Sequence, residues 1–337
     1  MATDDLKKNS NAYTIHVFNT ETLDLVYKQS YKNNENKFFS FKDLAITDEA
    51  IVFSVGKLYK SGKREKDKSG TSNYDFIVYK ISKQNTENTL IKLDNTHIRS
   101  LVINQKLKDL QLVGFYSEKN TNRVKGGCSF NLDPETLELM SKKSFELPEQ
   151  VYSDLYNNKA AKRKKDKGKE LSSFYVDYIV EDSKNNIYLI AEEFFITQVY
   201  IANGLNGGYW QTVFHYNDIL ILKFNPNGDL DWGRSIFKKA NGPSYNVFLK
   251  DEQLHVILNS GKNLIEKKDG RTKVSKGILE SSSLYDIVFT KNGEVSYDKI
   301  QDNKGKTSYT PYYGTYNNGE FIMMSDRRKK KQFMILQ

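Results

Sequence analysis

The sequence is poor in the residues and patterns that usually betray a chemistry. It has one cysteine, Cys128, which excludes an internal disulfide and any paired-cysteine metal site. Its four histidines, His16, His97, His215 and His255, lie far apart and at no metal-ligand spacing. Neither a nucleophile elbow, a P-loop nor a dinucleotide fingerprint is present, so no cofactor and no metal is expected. No run approaches the ~18 consecutive apolar residues of a membrane helix, and no membrane span is expected. Helical periodicity is scarce too: 158–171 is helix-permissive but all polar and reads as a flexible loop. The start, MATDDLKKNSNAY, lacks an apolar leader core. That leaves two expectations, a cytosolic protein or the mature form of an exported one.

Aromatics, in contrast, are plentiful. The chain has 22 Tyr and 19 Phe among 337 residues, a richness that favours strands. The length allows two average domains or one large all-β domain. Segment 216–232, YNDILILKFNPNGDLDW, sets the pattern: a β-run, an Asn-Pro-Asn-Gly turn and a second run, which together read as a hairpin.

Two hairpin types then alternate along the chain. In the first, an apolar strand and a short polar turn lead to a strand ending in a small residue, at 44–55, 101–114, 178–191, 247–258 and 312–324. The second carries the NPNG-like turn, at 13–27, 74–93, 128–144, 217–236 and 285–300. Two hairpins per period make four strands per unit, recurring about every 60–75 residues, the signature of propeller blades. The expected fold is therefore all-β: a β-propeller of about five four-stranded antiparallel blades, with six blades or an unclosed arc as alternatives. Residues 1–12 read as a flexible tail and 13–337 as a single propeller domain. Ile77, Leu189, Ile219, Ile221, Ile257 and Ile287 occupy the alternating strand positions expected in its core.

Several stretches resemble the motifs of an uncharacterised family of exported bacterial β-propeller-like proteins: Gly114-Phe115-Tyr116-Ser117-Glu118, Ala191-Glu192-Glu193-Phe194-Phe195, Tyr216-Asn217-Asp218-Ile219 and Leu258-Asn259-Ser260-Gly261-Lys262-Asn263. The resemblance covers most of the chain after about residue 13. It implies a propeller fold and a periplasmic or extracellular location, and it supplies no catalytic residues.

Carboxylates are weighed first because some propellers are glycosidases that use carboxylate pairs. Asp75, Asp218 and Asp286 each open a second-type strand. They either converge on a central cavity or bond local backbone, as Asp does at turns. Glu192 and Glu193 form the one acidic pair in an otherwise basic set of loops; they are either a polar site or a solvated strand end. The insertion 197–215 carries Tyr200, Tyr209, Trp210 and Phe214 around a glycine tip. Such aromatics suit stacking on sugars, bases or a protein partner, or packing on a neighbouring blade.

The net charge is +9, and strand alternation places the loops that join first-type to second-type hairpins on one face. Those loops together carry more positive charge than the whole chain. Lys63, Arg64, Lys66, Arg271, Lys273, Arg327, Arg328 and Lys329 are expected there, beside Tyr209 and Trp210. One basic face points to an anionic partner. The leading expectation is a non-catalytic binding or scaffolding propeller that engages a protein or an anionic polysaccharide through this basic, aromatic-bearing face. The alternative is a carbohydrate-active, glycosidase-like enzyme with carboxylates at the central cavity. The lysines would allow nucleic acid, but no RNA or DNA motif supports it.

Overall fold

Aromatic and β-branched residues at alternate positions, broken by Asn, Asp and Gly turns, produce strands rather than helices. The computed structural model describes residues 2–5, 12–32, 37–106, 109–119, 122–204, 207–266, 271–276, 281–326 and 331–337. The chain forms two compact units, Met1–Glu146 with Asn227–Asp229, and Leu147–Pro226 with Leu230–Gln337. Each is described by itself.

Unit 1 holds three antiparallel sheets. The first joins β1 (Ala2–Asp5), β2 (Ala12–Phe18) and β3 (Leu25–Lys32). The second joins β4 (Phe39–Ile46), β5 (Val52–Tyr59), β6 (Tyr74–Ile81) and β7 (Thr86–Ile91). The third joins β8 (His97–Lys106), β9 (Asp109–Ser117), β10 (Gly126–Leu132) and β11 (Leu139–Glu146). Phe53, Val55 and Val78 of the second sheet form one core with Leu112, Cys128 and Phe130 of the third. Cys128 is fully buried in that core, and burial pushes its thiol pKa well up.

Unit 2 opens with two helices, α1 (Glu149–Leu155) and α2 (Asn158–Asp166). Then come β12 (Phe174–Glu181), β13 (Ile187–Ala202), β14 (Gly208–Phe224) and β15 (Leu230–Lys238) in one sheet. The next sheet is β16 (Tyr245–Lys250), β17 (Gln253–Gly261), β20 (Ser282–Phe289) and β21 (Val295–Asp302). Between β17 and β20 the chain forms β18 (Ile265–Glu266) and β19 (Thr272–Val274), and β19 adds in parallel to β15. The last sheet is β22 (Tyr309–Asn317), β23 (Glu320–Ser325) and β24 (Phe333–Leu336). Tyr188, Ile219 and Ile221 pack against Val256, Leu258 and Ile287.

The fold is thus all-β and propeller-type, built mostly of the four-stranded antiparallel sheets expected from the alternating hairpins. Ile77, Leu189, Ile219, Ile221, Ile257 and Ile287 are all buried, at 4% exposure or less. Burying an aliphatic side chain of this size is worth roughly 1.5–3 kcal/mol. The Lys291-Asn292-Gly293-Glu294 turn closes as a hairpin with Gly293 at φ +80, a backbone state in which a side chain is strained. Trp232 lies against it and donates its indole N–H to the Lys291 carbonyl at 2.9 Å.

Segment 158–171 does not behave as the expected flexible loop. Asn157 caps α2 by accepting from the Ala160 amide at 2.9 Å. Val151, Tyr152, Leu155, Ala161 and Leu171 are buried. Few apolar residues lie in 158–171 itself, so its anchoring comes from α1 and escapes a window centred on the polar run.

A recurrent irregularity marks the first strand of several sheets. Pairing slips between Phe41 and Asp43 in β4, between Ile98 and Ser100 in β8, and between Val176 and Tyr178 in β12. Each slip leaves one charged residue as a β-bulge: Lys42, Arg99 and Asp177. Bulges re-aim a side chain and increase local twist. The small residues at the ends of the facing strands explain themselves here. A Cβ on Gly114 would lie 1.8 Å from the Ser100 carbonyl oxygen, and one on Gly56 would lie 2.4 Å from the Phe39 ring.

Candidate functional site

In unit 2 the first strands β12, β16 and β22 lie side by side. Together with the end of β13 they bound a cavity of about 990 Å³. Its wall is aromatic and acidic, with Tyr178, Tyr245, Tyr312 and Tyr313 beside Asp177 and Glu192. The bulge in β12 places Asp177 here, and a longer irregularity in β22, between Thr310 and Thr315, places the two adjacent tyrosines. Asn246 fixes that β22 segment by donating to the carbonyls of Pro311 at 3.1 Å and Gly314 at 2.9 Å.

Each acid has its own partners. Tyr245 donates its hydroxyl to Asp177 Oδ2 at 2.7 Å, and Tyr178 donates to the Tyr245 carbonyl at 3.1 Å. The two rings meet edge to face, 5.4 Å between centroids. Behind them Lys238 Nζ lies 2.5 Å from Glu192 Oε1, with side-chain exposures of 2% and 6%. The same ammonium donates to the Tyr216 carbonyl at 2.8 Å. Burial raises the Glu192 pKa and lowers that of Lys238, and each partner's charge partly offsets the other's shift. Asp177 is open to solvent at the cavity, yet crowding by the strands raises its pKa, with Tyr245 and Lys238 opposing. Asp218 accepts from the Lys238 backbone amide at 3.1 Å. Loss of water, reinforced by the negative charge of Glu193, pushes its carboxyl up to about 7.

The second feature is the far end of the β13–β14 hairpin. β12 pairs with β13 only as far as Glu193, and β15 pairs with β14 from Ile219 on. Beyond those limits, apart from one bridge from Tyr216 to Ala240, the two strands pair only with each other among the described residues. This arm, 194–216, contains no Asp, Glu, Lys or Arg in a chain that is 28% charged. Tyr209 and Trp210 are 57% and 66% exposed, and Ile196, Val199, Tyr200 and Phe214 are exposed with them. The aromatics therefore stand in solvent rather than pack on a blade. At the root, Phe194 contacts Phe214 and Tyr216, and Tyr216 lines the cavity.

The remaining sequence-based sites are dispersed. Glu192 is not a solvated strand end but a buried ion-pair partner. Glu193, half-buried, occupies a register break in the β13–β14 pairing and acts on Asp218 instead. Arg271 donates to the Leu155 carbonyl and lies over the Phe237 ring. Its neighbour Lys273 pairs in β19, so this part of the expected basic loop is built into a sheet edge. Lys63 and Arg64 are exposed in unit 1, Lys63 over the Phe38 ring at 4.5 Å. Arg327, Arg328 and Lys329 lie outside the described residues. Asp75, Asp218 and Asp286 sit on the third strands of their sheets, each engaged locally. Asp75 pairs with Lys60 and Lys92, and Asp286 bonds His255 at 2.7 Å. The cavity residues Asp177, Tyr245, Tyr312 and Tyr313, and Lys238 behind them, are ones the sequence did not single out. A one-residue bulge leaves no mark in hydropathy alternation, and nothing in the run around Lys238 announces a partner more than 40 residues away.

No described group of three or more His, Cys, Asp or Glu residues could hold a metal. No described helix is long and apolar enough to cross a membrane. No family model matches the chain, and no curated protein matches it. Solved structures do. The β-propeller domain of the Trilobed protease from Pyrococcus furiosus matches at 12% identity and a TM-score of 0.39, covering 100% of this chain and 76% of that one. The Dos1 propeller matches at 8% identity and 0.36, covering 97% and 74%. The exo-beta-1,3-galactanase 1,3Gal43A from Clostridium thermocellum matches at 10% identity and 0.34, and this chain spans 62% of its length. These neighbours are similar to the chain in fold, and at these scores the likeness says nothing of function.

Proposed function

We propose that the protein is a binding propeller for a carbohydrate chain, seated in the unit 2 cavity and extended along the β13–β14 arm. The observation that carries this reading is the cavity wall of six tyrosines and three carboxylates, with the uncharged aromatic arm rooted at Tyr216. Sugars present apolar faces ringed by hydroxyls. Tyrosine rings take the faces, and carboxylates accept the hydroxyl protons. The acidic wall favours a neutral or amino sugar at this site over the anionic polysaccharide expected from the loops. The test is calorimetric titration with neutral and amino-sugar oligosaccharides. Tyr313→Ala removes one exposed ring and should weaken binding about 3- to 10-fold, from the ~0.5–1.5 kcal/mol of an aromatic contact. Failure of every such oligosaccharide to bind would sink the proposal.

One observation supports a glycosidase-like second reading. Asp177 and Glu192 both line this one cavity, and glycoside cleavage uses carboxyl groups in pairs. Release of reducing ends by the wild type, abolished in Asp177→Asn while binding persists, would establish cleavage. Bound sugar without release would leave the binding reading alone.

A further inference from the structure

We infer that unit 1 carries a site for a sugar acid, in a cavity where Lys60 and Lys92 flank Asp75: the two ammoniums hold the ligand's carboxylate, and Asp75 accepts its hydroxyl protons.

The cavity measures about 350 Å³ and is bounded by the β5–β6 loop, the start of β6, the end of β7 and the start of β8. The β5–β6 loop is lysine-rich in sequence but firmly built. Asn73, buried, accepts the Ser61 amide at 3.2 Å and donates to the Arg64 carbonyl at 2.9 Å. Asp67 accepts the Ser69 and Thr71 amides, both at 2.9 Å. Tyr74, on β6, ties this wall to β8 by donating its hydroxyl to the Ile98 carbonyl at 3.1 Å. Phe76, Ile91 and Ile98, all buried, supply the apolar part of the lining.

Asp75 stands between two cations, one to each oxygen. Lys60 Nζ is 3.7 Å from Oδ1, and Lys92 Nζ is 3.6 Å from Oδ2. Both separations exceed the roughly 2.7–2.9 Å of a charge-assisted hydrogen bond, and no donor among the described residues lies closer to this carboxylate. Yet the Asp75 side chain is only 25% exposed. A carboxylate removed that far from water needs donors, and a ligand in the cavity can bring them. The lysines are 55% and 58% exposed, and each ammonium has three N–H groups to share between Asp75 and a ligand. Leaving His97 aside, the lining carries one positive charge in excess. The next acid along the chain, Asp94, is taken by Lys142 at 2.6 Å. The complement of this lining is therefore a small molecule with one negative charge, several hydroxyl donors and an apolar face. A sugar acid combines the three; sulfate offers charge without donors, and a neutral sugar donors without charge. The volume sits at the small end of the roughly 300–1,000 Å³ of small-molecule sites. All of these residues belong to unit 1, so the site is independent of the sugar-binding reading of unit 2.

The test is calorimetric titration of the full chain with a galacturonate trimer, at constant ionic strength. The variants are Lys60→Ala, Lys92→Ala, Asp75→Asn and, in the unit 2 cavity, Tyr313→Ala. The trimer should bind the wild type, and each lysine variant should weaken it about tenfold or more, the fold-change of losing one charge-assisted hydrogen bond. Tyr313→Ala should bind the trimer as wild type does. Asp75→Asn separates a sugar acid from a bare anion: loss of the acceptor should weaken the trimer, whereas a site that reads charge alone would bind it more tightly once the carboxylate is gone. Should Asp75→Asn fail to fold, the two exposed lysine variants decide, with displacement of the trimer by sodium sulfate of equal charge concentration counting against a sugar acid. No binding of the trimer, equal binding in wild type and Lys92→Ala, binding lost in Tyr313→Ala instead, or unweakened binding in Asp75→Asn overturns the proposal.

Discussion

Replacing Lys238 by methionine should be among the costliest single changes in unit 2, and its cost should depend on pH in a defined direction. Lys238 and Glu192 are nearly inaccessible, 2.5 Å apart. Methionine keeps the length and apolar stem of the lysine but removes the charge, leaving Glu192 buried without its cation. Breaking a buried pair from one side costs about 3–5 kcal/mol, because the surviving charge remains desolvated. The burial that already raises the Glu192 pKa would then act without the opposing lysine. A carboxyl raised in the folded state favours folding below its unfolded pKa and loses that contribution as pH rises through its folded value. The defect should therefore be slight near pH 4 and large at pH 8. Urea unfolding of wild type, Lys238→Met, Glu192→Gln and the double variant, followed by tryptophan fluorescence, measures it. Restoring neutrality in the double variant should recover most of the loss. A penalty below ~1 kcal/mol at pH 8, or one that does not change with pH, would refute the buried-pair argument.

Three further outcomes are expected. Ile221→Asp puts a charge at a fully buried core position and should unfold unit 2 at a cost well above the ~1 kcal/mol of an average substitution, read by loss of the cooperative melt. Trp210→Ala, on the exposed arm, should leave stability within about 0.5 kcal/mol of wild type while weakening oligosaccharide binding by calorimetry. The Asp218 carboxyl, pushed up to about 7 by burial and then by Glu193, should make stability fall as pH rises through neutrality. Asp218→Asn should flatten that part of the stability curve, and an unchanged slope would count against the assignment.

The parts of the fold written in local repeats were readable, and those set by pairing irregularities were not. Ile221 and Ile287 could be placed because alternation with period two requires no knowledge of partners. The small residues Gly114 and Ala191 were visible as strand-end signals. Their reason, the close approach of a bulged neighbouring strand, is a property of two strands and appears in neither alone. The exposed arm was legible from its aromatics and glycine tip. Glu192 was picked out, but its burial was not, since its partner Lys238 comes from the far side of a hairpin. The loop containing Arg271 looked like a solvated basic stretch because a two-strand addition to a sheet edge needs too few residues to show a period.

Cys128 gives the two units separate reporters. It is the chain's single thiol and has no exposure in the core of unit 1. A thiol-modifying reagent can reach it only when that core opens, so the labelling rate counts opening events of unit 1. Both tryptophans, Trp210 and Trp232, belong to unit 2, and their emission follows unit 2. Labelling kinetics and fluorescence, recorded on the same unmodified chain, therefore tell whether the halves come apart as one cooperative block or as two.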